Sequence, residues 1–343
     1  MALFGALFQP PPAPIIYRCD LDKTYLATRF ESLRSLARIP FEKAEDKRTL
    51  PGVIALIRGL RTSATAQQRD SRLYFLSGSP PQIGEAVRGK LALDGIEYDG
   101  ILFKDQLRNI FRGRFRNLRE QVGYKLVSLL HSRKNIEPDH REVLLGDDWE
   151  SDPLIYSLYA DVLSGRVEPS TLRALLVSIE VDPELLEEAT ALAEQLVPSE
   201  VVSRIYIHLE KRTPPISFAG FGPRLVPTFN YMQTAASLYE MSLVDENVIR
   251  EVAIELTAAT GHGAQALLNS LADLVRRGHL TLPSARRLEQ LLAEAGLVPQ
   301  PRRSKVRQWT DRLTAARIRR RPWQPNTETI DYQNLIHPWS RAV

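Results

Sequence analysis

The chain of 343 residues is long enough for one large or two ordinary domains, at about 100–200 residues per domain. Its 43% hydrophobic and 25% charged residues exclude wholesale disorder and low-complexity architectures. With 45 Lys and Arg against 41 Asp and Glu, the net charge of +4 is too small to make the whole chain a nucleic-acid binder, so any basic surface is local.

The N-terminal MALFGALFQPPPAP is apolar but lacks a basic segment ahead of it, and reads as a leader packing on the domain rather than an interfacial anchor. Ile15–Cys19 is an apolar run that predicts a strand ending in the acidic stretch Asp20-Leu21-Asp22. Pro51-Gly52 opens a helix, and Arg72–Leu76 predicts a second buried strand ending at Ser77. Another helix starts at Pro81 and runs to about Leu93, followed by a short strand over Gly100–Phe103. Lys125 is expected at the head of the helix KLVSLLHSR, and Glu142–Leu145 as a strand followed by Gly146-Asp147-Asp148. Short apolar runs alternating with amphipathic stretches predict an α/β fold, a Rossmann-like parallel sheet with helices on both faces. Each polar cluster follows the carboxyl end of a strand, where open α/β sheets bind their ligands.

Between Ser164 and Pro198 two helices are expected as an insertion before the strand of Val202–Leu209. Arg212–Pro227, rich in Pro, Gly and Phe, reads as an ordered linker or a loop packed over the core. From Phe229 to Gly296 the pattern is helical throughout, an all-α C-terminal region. The expected organisation is an α/β unit over 1–220 with its insertion at about 164–198, a helical domain over 221–300 and a basic tail over 301–343.

Asp20 and Asp22 at a strand end can divide nucleophilic and acid–base roles, since like charges in one site push their pKa values apart. Ser77 can donate to a phosphate oxygen, Lys125 can neutralise phosphoryl charge, and Asp147 with Asp152 can hold Mg²⁺ through oxygen ligands. These are the parts that phosphoryl transfer needs.

In order, the motifs DLDKT (Asp20 to Thr24), LSGSP around Ser77, Lys125 and GDDWESD (Gly146 to Asp152) resemble the four signatures of the haloacid dehalogenase superfamily of phosphohydrolases. The run through Asp152-Pro153-Leu154-Ile155-Tyr156 is similar to that of the actin-patch-associated phosphatidate phosphatases, with Lys23 in place of an Asp and Asp148 in place of a Ser. The resemblance implies Asp20 as a nucleophile forming an aspartyl phosphate, and Asp22 as the acid that protonates the leaving alcohol and then activates water. It implies Mg²⁺ held by Asp20, the backbone carbonyl of Asp22 and Asp147, with Asp148 or Asp152 as a further ligand or orienter.

The remaining residues of note have plainer readings. Cys19, the chain's one cysteine, excludes an internal disulfide and reads as a packed small hydrophobe; with it the cytoplasm is the expected location. The six histidines show no ligand spacing, and His262 reads as part of a helix-breaking turn. No run approaches the roughly 20 apolar residues of a membrane span. Two arginine-rich stretches, Arg108–Arg119 and Arg302–Arg321 with Trp309 and Trp323 near the second, are either solvated faces or surfaces for an anionic membrane or nucleic acid. The intervals between motifs look too short for a full cap domain, which suits a large phosphorylated substrate. Two other functions stay open: a catalytically silent scaffold that binds an anionic partner, and a nucleic-acid end phosphatase.

Overall fold

Apolar runs of four to seven residues, too short and too continuous for an amphipathic helix, become strands with both faces covered. The computed structural model describes residues 14–27, 47–78, 83–103, 118–149, 151–261, 263–300 and 330–340. Strands β1 (Ile15–Asp20), β2 (Ser71–Ser77), β3 (Gly100–Phe103), β4 (Arg141–Asp147), β5 (Val202–His208) and β6 (Leu225–Thr228) form one sheet in the order β3-β2-β1-β4-β5-β6. Every pairing is parallel. The direction of winding reverses between β1 and β4, so the connections leaving these two neighbours diverge to opposite faces. A crevice opens at their carboxyl ends.

One face carries α1 (Val53–Ala66) and α2 (Gly84–Leu93), packed on Tyr17, Cys19, Phe75 and Leu145. The other carries α3 (Leu118–Lys134) and α4 (Asp152–Leu163), packed on Leu76, Leu144 and Ile207. Helices α5 (Pro169–Ser178) and α6 (Pro183–Gln195) extend this second layer, α6 lying against α3. Arg18, inside fully buried β1, is matched by Glu142 of β4 at 2.6 Å, and Glu142 also accepts from Arg133 at 3.2 Å and from the Tyr159 hydroxyl at 3.0 Å. Slipping β1 against β4 would strand these charges in the core, so the network holds the register that aligns the two strand ends.

The C-terminal region is helical: α7 (Tyr231–Glu240), α8 (Glu246–Thr260), α9 (Ala264–Arg277), α10 (Leu282–Glu294) and α11 (Tyr332–Ser340). Helices α7 to α10 join the α1 face, whereas α11 packs against α4 on the other. A Cβ on Gly59 would fall 2.4 Å from Val248, so the glycine is what lets α8 lie against α1. Glu255 of α8 accepts the backbone N–H groups of Gly52 and Ala55 at 3.1 and 2.9 Å, capping the start of α1.

Two local expectations change, and one helix is added that the sequence pattern does not carry. Arg212–Pro227 is no linker: it holds a 3-10 helix (Pro215–Phe221) and most of β6. Pro227 is tolerated there because β6 is an edge strand, paired only with β5. Lys125 is not at a helix head, since α3 begins at Leu118 and carries the lysine near its middle. Helix α4 had no periodic signal because all of its residues are buried, leaving no polar face to read. The N-terminal leader, the side chains of the arginine series between Arg108 and Arg119, all of Arg302–Arg321, Trp323 and His262 lie outside the described residues.

Candidate active site

Three neighbouring strands deliver polar side chains to the crevice as their last residues: Ser77 from β2, Asp20 from β1 and Asp147 from β4. Asp152, at the start of α4, adds a carboxylate at the positive end of a helix dipole. From α3, the Lys125 ammonium bridges Asp20 Oδ1 at 2.7 Å and Asp152 Oδ1 at 2.6 Å. All five residues are buried. One carboxylate oxygen from each of Asp20, Asp147 and Asp152 lies within 4.8 Å of the others, a set that could hold a metal ion. The donors are all hard oxygens, which suit Mg²⁺ rather than a thiophilic metal.

The carboxylates are held from outside. Asp147 Oδ1 accepts the Trp149 backbone N–H at 2.6 Å and Asp147 Oδ2 the Thr24 hydroxyl at 3.4 Å, while Asp152 Oδ2 accepts the Asp147 N–H at 3.3 Å. Gly146 makes the last approach possible, because a Cβ there would sit 2.4 Å from Asp152 Oδ2 and 2.8 Å from the Tyr156 ring. Asp22 lies one turn of loop beyond Asp20, and its carboxylate accepts the Ser77 hydroxyl at 3.4 Å. Asp148 is directed elsewhere. Its carboxylate takes the backbone N–H of Lys211 at 2.9 Å and the hydroxyl of Thr213 at 2.6 Å, pinning the segment after β5 beside the site.

The loop from Asp20 to Leu26 is tight: the Leu26 N–H returns to the Leu21 carbonyl at 2.8 Å and the Lys23 N–H to the Leu26 carbonyl at 2.8 Å. Lys23 sits at φ 59°, a left-handed conformation costly for a lysine. The Tyr231 hydroxyl of α7 donates to the Thr24 carbonyl, and the Tyr231 ring stacks on His208 at 5.0 Å. Burial, then Cys19, Asp147 and Asp20, push the Tyr231 hydroxyl well above its usual pKa, so it remains a donor. Burial, then Asp20 and Asp152, likewise push the Cys19 thiol up, away from thiolate reactivity.

Thr24, Trp149 and Tyr231 escaped the motif reading. Thr24 and Trp149 stand inside motifs at positions with no chemical signal of their own. Tyr231 lies 207 residues from Thr24 in sequence, and no local pattern joins them.

Residues 16–174 match the family model of the phosphatidate phosphatase APP1 catalytic domain. That family is haloacid dehalogenase-like, in agreement with the resemblance carried by the motifs. The match spans β1 to the middle of α5, taking in Asp20, Asp22, Ser77, Lys125, Asp147, Asp148 and Asp152 but not His208, Lys211, Thr213 or Tyr231. The matched segment is thus similar to the catalytic domain of a phosphatase family. No curated protein matches the chain. Among solved structures, a Pnkp1/Rnl/Hen1 complex aligns at 21% identity over 39% of this chain and 39% of that one, with a TM-score of 0.27. A Pnkp1/Rnl/Hen1 RNA repair complex aligns at 20% identity over 39% and 36%, also with a TM-score of 0.27. The chain thus spans well under two thirds of either. No helix among the described residues is long and apolar enough to cross a membrane.

Proposed function

We propose that the protein is a Mg²⁺-dependent phosphatase that hydrolyses a phosphate monoester through an aspartyl phosphate on Asp20. The observation that carries this reading is the buried lysine between Asp20 and Asp152, with Asp147 completing a three-carboxylate group. A structural ion pair needs one partner. Here a single ammonium serves two carboxylates beside a third, which favours a site that receives further positive charge.

In the proposed reaction the Asp20 carboxylate attacks phosphorus, and the bond to the leaving oxygen breaks as Asp22 delivers its proton to that oxygen. Asp22, now ionised, takes a proton from water, whose oxygen attacks the aspartyl phosphate. Phosphate leaves and the Asp20 carboxylate is restored. Lys125 keeps Asp20 in one rotamer and faces phosphoryl charge, while Ser77 donates to a phosphoryl oxygen and orients Asp22. Mg²⁺ held by Asp20, Asp147 and Asp152 supplies neutralisation of the phosphoryl oxygens. Asp148 supports this set by securing the Lys211–Thr213 segment.

The substrate class we favour is a phosphatidate-like lipid or another large ester, met from a cytoplasmic location. The stretches Arg108–Arg119 and Arg302–Arg321 are proposed to hold an anionic membrane or nucleic acid in a salt-dependent manner. The test is hydrolysis of p-nitrophenyl phosphate by the purified protein with Mg²⁺, its loss in EDTA, and its loss in Asp20→Asn. The amide is nearly isosteric but neither attacks phosphorus nor binds a cation well, so turnover should fall on the order of 10³-fold or more. Substantial activity in Asp20→Asn, with the fold intact by circular dichroism, would remove Asp20 as nucleophile.

A further inference from the structure

The family match ends at residue 174, yet a side chain from beyond it reaches the loop that carries Asp20 and Asp22. Tyr231 is the first residue of α7, and its hydroxyl donates to the Thr24 carbonyl. Thr24 is fully buried and bonds in two directions. Its carbonyl accepts from the C-terminal region, while its hydroxyl donates to Asp147 Oδ2 at 3.4 Å, within the three-carboxylate group. The residue before it, Lys23, sits at φ 59°. A non-glycine residue keeps such a conformation only where its surroundings over-determine it, and the bond from Tyr231 is one of those restraints.

Tyr231 is itself fixed. Its ring stacks on His208 with centroids 5.0 Å apart and planes 11° from parallel. A Cβ on Gly52 would fall 3.3 Å from the Tyr231 Cβ, so the helix start of α1 abuts it from another side. The turn that Tyr231 begins is pinned to α9. Asn230 donates to the Ser270 hydroxyl at 3.0 Å, and Gln233 donates to the Ser270 carbonyl at 3.2 Å and to the Asp273 carboxylate at 3.0 Å. A buried side chain locked by packing and by a hydrogen-bonded backbone can hold a neighbouring site in place. Packing alone would be served by phenylalanine; the hydroxyl serves Thr24.

We propose that Tyr231 is a positioning residue of the active site, acting through Thr24 to fix the Asp20–Leu26 loop against Asp147, so that the C-terminal helical region is part of the catalytic unit. The inference rests on the phosphatase reading of the carboxylate group. Tyr231 bonds the loop backbone rather than a reacting atom, so its effect falls on where Asp147 stands and hence on cation affinity.

The test uses the full chain as Tyr231→Phe, Thr24→Val and the double variant. Tyr239→Phe is the control, because Tyr239 also lies on α7 and gives its hydroxyl to Glu246 at 3.2 Å. Losing a group that orients a metal-ligating side chain costs about 10- to 100-fold in metal affinity or activity. Tyr231→Phe should therefore raise the Mg²⁺ half-saturation of p-nitrophenyl phosphate turnover, and the calorimetric Mg²⁺ Kd, by about tenfold, while KM at saturating Mg²⁺ moves by less than about twofold. Thr24→Val should do the same, and the double variant should be no worse than Thr24→Val, because both losses lie on one path. Tyr239→Phe should match wild type. A lower Tm in Tyr231→Phe with wild-type Mg²⁺ Kd and half-saturation would reduce the tyrosine to packing and overturn the inference. Losses that multiply in the double variant would overturn the path through Thr24.

A wild type that neither turns over nor binds Mg²⁺ defeats the phosphatase reading by itself, and the loop then decides the role of Tyr231. The Lys23 and Leu26 N–H groups both close loop hydrogen bonds of 2.8 Å. Their amide exchange, read by NMR and referred to global stability, should be about tenfold faster in Tyr231→Phe than in Tyr239→Phe. Equal exchange in the two variants would overturn the claim that Tyr231 holds the loop.

Discussion

Gly146→Ala adds one methyl group at the most crowded point of the site. The new Cβ would stand 2.4 Å from Asp152 Oδ2, 2.7 Å from Asp152 Cβ and 2.8 Å from Tyr156 Cε2. Carbon atoms in contact settle at about 3.5–4.0 Å, so β4 and the first turn of α4 must part by about 1 Å. Asp152 and Tyr156 are fully buried, which leaves neither a cheap rotamer to retreat into. Overpacking of this kind costs about 1–3 kcal/mol. The same displacement takes Asp152 away from the Lys125 ammonium, now 2.6 Å distant, and disturbs the carboxylate set. A misplacement of about 1 Å at a reacting centre can cost about 10²-fold in rate. Urea unfolding at constant slope should show the lower midpoint, and p-nitrophenyl phosphate turnover with Mg²⁺ the lower rate. Combining Gly146→Ala with Asp152→Ala should cost less stability than the two singles summed, because the worst contact disappears with the carboxylate. Wild-type stability and turnover in Gly146→Ala would refute the claim that the glycine sets the β4–α4 approach.

Two further outcomes follow from buried charge. Lys125→Met leaves Asp20 and Asp152 without their shared ammonium, and breaking a buried pair in this way costs about 3–5 kcal/mol. Urea unfolding should show that loss in EDTA, and Mg²⁺ should recover part of it by binding only the folded protein; an unchanged midpoint would mean that the bridge contributes nothing. Burial, helped by Arg277 and Arg204, lowers the His279 pKa to about 3 from its ordinary 6.5. The unfolded chain therefore binds a proton that the folded one refuses between these values, so His279 costs stability as pH falls from 6.5 towards 3. At pH 4.5 the loss is about 2–3 kcal/mol, and His279→Gln should flatten this part of the stability–pH curve.

Much of the site was open to a reader of the residues alone, because phosphoryl chemistry demands particular side chains close to strand ends. Asp20, Ser77 and Asp147 each close an apolar run, and a parallel sheet places the ends of such runs along one edge. Composition and periodicity likewise implied an α/β sheet and a helical C-terminal region, since strand and helix periods are local properties. Even the short β3 was legible, bounded by Gly100 and ending at Phe103.

What only the tertiary structure decided depends on groups far apart in the chain. Asp147, Asp148 and Asp152 look alike as letters. The sheet register turns Asp147 to Asp20, while Asp148 spends its oxygens on Lys211 and Thr213, more than 60 residues away. Helix α4 left no periodic trace because neighbours cover it on all sides, and β6 hid behind a proline that only an edge strand accepts. The Tyr231 bond to Thr24 and the two lysines on Trp149 join segments whose meeting no local pattern encodes. Side-chain chemistry and periodicity are written residue by residue, so the sequence determined which groups exist and which strand ends carry them. Which of those groups meet is a property of the packed whole, because burial, register and helix docking choose the partners.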